Sequence, residues 1–486
     1  MCRPIGLVVA TVGVVAFLAG CGGSSAPTGP SGPPIVTLVN GATLPSGTIG
    51  ATVVIQGSNF GASQSFAAGH VVFSTTAGGR DTATIASAGD WTNSLIVTTV
   101  PAGVPLGADT LFVETAGGKS AAIVFTLVAK AAFSPSTVSW TSTTALPVGL
   151  SGHAVAAATL PGAPSTSVVY VVGGADSTNT PRDSVLYATV SNTGAVGAWT
   201  RTTALSLPIA FAAALVATPT NSPVTGNSYL YVLGGDSTAS GKPVATVYVG
   251  TVNASGTVTA WTTTTALPVP LHSLGAVIFN GNVYVAGGSG SGNAPVATVY
   301  RAAIASNGGL GAWQALTSLP FARSYFGFGV NGTFLYAFGG DSATVTPNDS
   351  TLKGSVISDI VYAQIDVHTG NLTAGGWTAN ANKLKKGVAK HTAVVADGNA
   401  LFTAGLYNGA TTGATEESYT SLNPDGSTGA VNGATGANTI SAAGGGNVFN
   451  HGAVGYRDAS GAFHVLVVGG DDANTPTKKH KGVFYY

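Results

Sequence analysis

Four histidines stand before short apolar runs that recur along the chain: His153 in GHAVAA, His272 in LHSLGAV, His391 in KHTAVV and His451 in NHGAVGY. Aligning the recurring segments puts all four at one position of an innermost strand, with Phe211 and Arg323 at that position in the two other copies. His391, His451 and His153 then fall on three consecutive copies. Three neutral imidazoles that meet can bind zinc or copper. The other reading, and the preferred one, is that each ring bonds neighbouring backbone and packs an inner wall. The repeat places no carboxylate or tyrosine to complete a metal site, and no cofactor is called for. A second constellation is ionic. Lys383, Lys385, Lys386 and Lys390 lie in one loop and Lys478, Lys479 and Lys481 in another, seven of eleven lysines. Asp176, Asp183, Asp236, Asp341, Asp349 and Asp359 occupy corresponding loops of other copies. A basic sector beside an acidic one would suit an anionic polymer or a charged protein. The plainer reading is that these residues keep an otherwise neutral chain soluble. An Asp after a glycine pair most often caps its own turn, and no DxDxDG run signals calcium. GxSxG, HExxH and phosphate-loop patterns are absent as well.

The elements that must position these residues are strands. The 486 residues include 69 glycines and 24 prolines, 45% are hydrophobic and only 7% are charged. Abundant Val, Ile, Tyr and Thr argue for a packed, β-rich body rather than disorder. Eighteen basic residues balance eighteen acidic ones, so no overall field calls for nucleic acid. At the start, Arg3 precedes an apolar run from Ile5 to Leu18, too short to span a bilayer comfortably. The stretch LAGC ending at Cys21 resembles the lipobox of bacterial lipoproteins. That resemblance implies a signal peptide over 1–20, lipidation of Cys21, and attachment to the cell envelope at the outer membrane or cell surface. The Gly/Ser/Pro-rich stretch 21–33 then reads as a tether, and the mature chain has no free thiol.

Residues 34–128 alternate β-type runs with turn signals at the spacing of one small sandwich. The stretch LPSGTIGATVVIQGSNFGAS, with the later VTTVPAGVPLGADTLFVETAGGKS, resembles the IPT/TIG immunoglobulin-like family. The resemblance implies a tight corner at Gly57, Asn59, Phe60 and Gly61, with Ile55 and Phe73 facing the core. Such domains mostly serve as spacers or protein contacts.

Over 135–486 a repeat dominates. VYVVGGADS, LYVLGGDST, VYVAGGSGS, LYAFGGDSA, ALFTAGLYN and HVLVVGGDD are six versions of one strand ending at a glycine pair or a decayed copy of it. Each is followed by a strand with a tyrosine (Tyr187, Tyr248, Tyr300, Tyr362, Tyr419, Tyr485). In four copies a tryptophan follows (Trp199, Trp261, Trp313, Trp377), and the fifth has Asn432 there. This pattern resembles the kelch repeat, whose propeller fold also forms the central domain of galactose oxidase. The resemblance implies an all-β, six-bladed propeller in which the segment 137–147, an orphan fourth strand, completes the last blade with the strand 481–486. A galactose-oxidase-like copper site is not expected, since it needs a cysteine, and the boxes and arginine cluster of sialidase-like propellers are lacking. The expected function is noncatalytic: a lipid-anchored envelope protein whose loop face contacts a protein or glycan. The rival is a glycan-active or metal-dependent enzyme built on His153, His391 and His451.

Overall fold

The computed structural model describes residues 32–40, 46–74, 78–127, 138–160, 163–191, 193–217, 228–239, 241–347, 355–407, 417–433, 439–458, 462–475 and 478–486. The leader, Cys21, the tether up to residue 31 and Asp349 lie outside the described residues. The regular elements of the described residues are almost all strands.

Residues 35–127 form two sheets. Thr52–Ser58 pairs with Ile35–Val39 on one side and Leu95–Thr99 on the other. Gly107–Thr115 lies between His70–Ser74 and Ile123–Leu127 in the second sheet. Alternation in TVVIQGS turns Val53 and Ile55 inward, where they meet Phe60, Phe73, Trp91 and Phe125 in one core. At the corner Asn59 and Gly61 both adopt positive φ, and the Trp91 indole N–H donates to the Phe60 carbonyl at 2.9 Å.

Residues 138–486 build six four-stranded antiparallel sheets. The first runs Ala154–Leu160, Ala163–Val172, Val185–Thr189, Thr200–Arg201, and the second Ala213–Ala217, Ser228–Leu233, Val247–Val252, Val258–Thr263. The third comprises Gly275–Phe279, Asn282–Ala286, Val299–Ala303 and Gln314–Leu316, and the fourth Gly327–Asn331, Phe334–Phe338, Ile360–Ile365 and Leu372–Ala379. The fifth comprises Thr392–Ala396, Asn399–Thr403, Ser418–Ser421 and Asn432–Gly433. The sixth takes Gly452–Arg457, Phe463–Val468 and Val483–Tyr485 from one end of the region and Thr141–Ser142 from the other. There Thr141 opposes Tyr485 and Ser142 opposes Phe484. First strands neighbour one another in chain order, and that of the sixth sheet lies against that of the first. This all-β, multi-sheet arrangement fits a β-propeller.

Strand composition follows position in each sheet. Second strands are covered on both faces by neighbouring sheets, so SYLYVL is buried at every residue, whereas the outer strand VTAWTT is mostly exposed. Tyrosines of the second strands tie one sheet to the next: the hydroxyls of Tyr170, Tyr231 and Tyr284 donate to the carbonyls of Gly256, Gly308 and Gly370 at 2.7–2.8 Å. Tryptophans do so at the rim, where Trp199, Trp261, Trp313 and Trp377 donate to Thr144, Thr203, Thr265 and Thr317 of the preceding outer strand.

Two cyclic runs of main-chain hydrogen bonds join the sheets near the axis. In one, Phe211 N–H donates to Gly152, Ser273 to Phe211, Tyr325 to Ser273, Lys390 to Tyr325, Asn450 to Lys390 and Gly152 to Asn450, at 2.6–3.2 Å. All six residues have φ between +51° and +57°. In the other, the second member of each glycine pair donates into the next sheet: Gly174 to Ile209, Gly235 to Leu271, Gly288 to Arg323, Gly340 to Val388, Gly405 to Val448 and Gly470 to Leu150. These second glycines sit at φ of +91° to +121°, a region that excludes most side chains. The glycine pair therefore marks a junction between sheets as well as the end of a strand.

Candidate binding face

In five of the six sheets the loop that leads from the preceding outer strand to the first strand is pinned at two points. A buried leucine opens it: Leu146, Leu205, Leu267, Leu319 and Leu384 donate main-chain N–H groups to Lys481, Asp183, Ala245, Ala297 and Ser358 at 2.8–2.9 Å. Four residues on, Leu150, Ile209, Leu271, Arg323 and Val388 donate to carbonyls of the same neighbouring segments. The residue midway between the pins is exposed on four of these five loops, the exception being Leu207, which packs partly against the core. In the first four sheets it is Val148, Leu207, Val269 and Phe321, and in the fifth it is Lys386. Val148, Val269 and Phe321 are 44%, 37% and 58% exposed, and they are the only large apolar side chains so exposed among the described residues of 138–486. Sharing one repeat position, they stand at similar height on the face formed by these loops and by the loops between second and third strands.

The lysines divide into two kinds. Lys383, Lys385, Lys386, Lys478 and Lys481 are exposed on this face, beside the apolar arc. Lys390 and Lys479 are buried instead. Lys390 donates to Pro347 O at 2.8 Å and lies over the Tyr325 ring, while Lys479 is bonded to Asp471 and, at 2.8 Å, to Asn179. Burying an ammonium requires such partners. The acidic residues scatter more. Asp183 is exposed; Asp176 is held by Arg182 at 2.5 Å and by its own Thr178–Thr180 turn, contacts that draw its pKa below the usual range against the opposing effect of burial. Asp236 and Asp341 are buried at the bridge positions after their glycine pairs, and Asp359 is paired with Lys383 at 2.7 Å. The structure thus brings together a basic, apolar sector rather than an acidic patch.

The histidines do not share one position. His153, His391 and His451 do, each one residue beyond the positive-φ ring, with Ala212, Leu274 and Phe326 as their counterparts. Phe211 belongs to the ring itself, His272 lies two residues before the shared position and Arg323 three. Lining up His letters hides this; counting seven residues from each turn leucine recovers it. Side chains at the shared position fill slots in the preceding sheet that small residues leave open. A Cβ on Gly452 would lie 3.0 Å from His153 Nε2, one on Gly327 3.2 Å from His391 Nε2, and one on Gly275 3.0 Å from Phe326. His451 instead meets Thr403 Oγ1 at 2.7 Å and Thr392 Oγ1 at 3.1 Å. Burial pulls His153 down to about 4 and both His391 and His451 to about 3, so all three are neutral. Around them first strands enclose a channel cavity of about 230 Å³. Among the described residues no three His, Cys, Asp or Glu side chains gather as a metal site requires.

A further polar group sits between the second and third sheets. His272 Nε2–H donates to Asn293 Oδ1 at 2.9 Å, and its Nδ1 faces Asp236 at 3.7 Å. Burial lifts Asp236 to about 7 and lowers His272 to about 4. Sequence reasoning did not single out this pair, nor the apolar arc, although the arc was visible as the second residue after each turn leucine. No protein-family model and no curated protein matches the chain. A solved structure titled "Structure of YjhT" is similar over 70% of this chain and 95% of its own, at 13% identity and a TM-score of 0.49, too distant to carry an argument.

Proposed function

We propose that this chain is a noncatalytic binding lipoprotein of the bacterial cell envelope. In this reading a signal peptide (1–20) is removed, Cys21 is lipidated, 21–33 is a tether and 34–128 an IPT/TIG-like spacer. Residues 135–486 form a six-bladed, kelch-like propeller, supported by the six sheets, the pairing of Thr141–Ser142 with Phe484–Tyr485 and the two cyclic hydrogen-bond runs. The propeller meets a protein or glycan through its loop face. One observation carries the last step: exposed large apolar side chains of the repeat region fall on a single loop position whose flanks are pinned by main-chain bonds. Exposed apolar side chains held rigidly in one sector mark interaction sites. The enzyme alternative on His153, His391 and His451 is weakened by their geometry, since His153 Nε2 and His391 Nε2 press on Gly452 and Gly327 of the preceding sheets and His451 Nε2 is taken by Thr403 and Thr392. The test is binding of the full chain to an isolated envelope fraction. Val269→Asp with Phe321→Asp should reduce it about tenfold, as loss of interface anchors does, whereas Asp425→Lys on the opposite face should not. Unchanged binding by the loop-face variant would overturn the reading.

A further inference from the structure

The loop face differs from its opposite in charge as well as in apolar character. Among the described residues its loops expose Arg182, Lys242, Lys383, Lys385, Lys386, Lys478 and Lys481. Of its acidic groups Asp176 is held by Arg182, Asp359 by Lys383 and Asp472 by Lys478 at 3.6 Å, while Asp183 is exposed on the first sheet, away from the lysines of the fifth and sixth. The other end of the sheets carries Asp366, Asp397, Asp425 and Asp458, with no described lysine, with Arg457 already paired to Asp397 and with Arg301 bonded to Asn282 and Gln314. An anionic partner is therefore drawn to one face and repelled by the other. The apolar arc ends at Phe321 on the fourth sheet, and the fifth sheet carries Lys385 and Lys386 in the next loop.

Three partner classes meet that description: a glycan, a bilayer and a protein segment. A glycan stacks on broad aromatic platforms, but this face exposes the single ring of Phe321 beside the aliphatic Val148 and Val269, and the tryptophans are held at the outer strands by carbonyls of the preceding sheet, away from this face. A bilayer would be recognised by charge and insertion, and the vesicle arm of the test separates it. The sandwich meets the fourth sheet at its far end, where His368 Nε2 contacts Gly89 O at 3.0 Å, and so leaves the loop face uncovered. A protein segment fits: apolar side chains supply the anchor and lysines the register. Resting on the binding reading above, we propose that this face docks a protein segment in which an apolar side chain is flanked by carboxylates. The apolar group packs on Val269 and Phe321, and the carboxylates meet Lys385 and Lys386.

The test uses the full chain and short fluorescein-labelled peptides read by anisotropy. One peptide has a Leu-Phe centre flanked by Asp and Glu, a second the same centre flanked by Lys, a third acidic flanks around serines; phosphatidylglycerol vesicles are a separate arm. The first peptide should bind at least tenfold more tightly than the others, and more weakly as salt rises. Phe321→Ser should lose about tenfold, and Lys385→Glu with Lys386→Glu a similar amount. Val269→Ser provides an independent variant, and thermal unfolding verifies that each is folded. Equal binding of all three peptides, indifference to both loop-face variants, or preference for the vesicles would overturn the proposal. Loss of envelope binding in the loop-face variants without peptide binding would overturn only the partner class.

Discussion

Gly339→Ala and Ala404→Gly put opposite changes on one backbone position. The first residue of each glycine pair has φ of +55° to +61° in five sheets, and in the fifth Ala404 holds it at +42°. A left-handed conformation costs a residue with a Cβ about 1–2 kcal/mol. At Gly339 the added Cβ would also stand 2.7 Å from Val388 O, the acceptor of the Gly340 bond into the fifth sheet. Displacing that carbonyl forfeits about 1 kcal/mol more, and the stiffer unfolded chain returns about 0.4–1. Gly339→Ala should therefore destabilise by roughly 1–2.5 kcal/mol. Ala404→Gly removes the strain at the price of the same unfolded-state entropy, a net gain of roughly 0.5–1 kcal/mol. The junction bond below it, Gly405 to Val448, is the longest of its run at 3.1 Å and should shorten. Urea unfolding of the full chain reads both changes as shifts of midpoint at constant slope, and amide exchange at Gly405 reads the junction itself. If Ala404→Gly destabilised, or Gly339→Ala were neutral, the glycine pair would not be acting through φ, and the account of the junctions would fail.

Removal of 481–486 takes away buried Val483 and Phe484 and the carbonyls that receive Thr143 and Leu146. Phe484→Ala alone should cost about 3–5 kcal/mol, and the deletion should abolish cooperative unfolding of the repeat region, read by calorimetry; an unchanged transition would refute the pairing. Leu319→Ala should cost about 2–5 kcal/mol, whereas Phe321→Ser two residues on should lie within about 0.5, as denaturant titration would show. Stability should also depend on pH. Burial depresses His153 and His272 to about 4 and His391 and His451 to about 3, so above 6.5 their contribution is complete and it drains as pH falls toward those values. Asp236 and Glu417, raised by burial to about 7, act with opposite sign: folded and protonated, they lose stability as pH climbs from their ordinary range through 7. Four imidazoles outweigh two carboxyls, so the urea midpoint should rise from pH 4 to about 6.5 and level off above. His391→Phe, which copies Phe326 in its slot, should flatten that rise by the share of one proton.

What the sequence made legible was whatever the repeat enforces. The glycine pair, the tyrosines and the tryptophans recur because each has one bond to make with a neighbouring sheet, and a bond between repeats constrains residue type at fixed spacing. The assignment of 137–147 beside 481–486 came from the same counting, and Thr141–Ser142 of that segment pairs with Phe484–Tyr485. The histidines were harder because their slot tolerates Ala, Leu, Phe or His, depending only on how small the facing residue is. Gly452 admits His153 and Gly275 admits Phe326, a pairing between chain positions far apart that no single window displays. Lys390 and Lys479 were misjudged as surface lysines for a similar reason: their burial depends on the Pro347 carbonyl and on Asp471 and Asn179, supplied by other sheets.

The same contrast locates function within the repeat. Where two main-chain bonds pin a loop, the pinned residues answer to the fold and the residue between them does not. Leu319 and Arg323 hold the bracket, while Phe321 contacts solvent over more than half its surface. Substitution midway can trade valine for phenylalanine or lysine without disturbing either pin, as Val148, Val269, Phe321 and Lys386 do on four sheets, while Leu207 on the second packs partly against the core. A rigid frame with one variable position per sheet is a means of presenting a surface whose chemistry varies around the axis. That this position exposes apolar side chains on the first, third and fourth sheets and a lysine on the fifth is a pattern the fold does not require, and a partner with matching chemistry accounts for it.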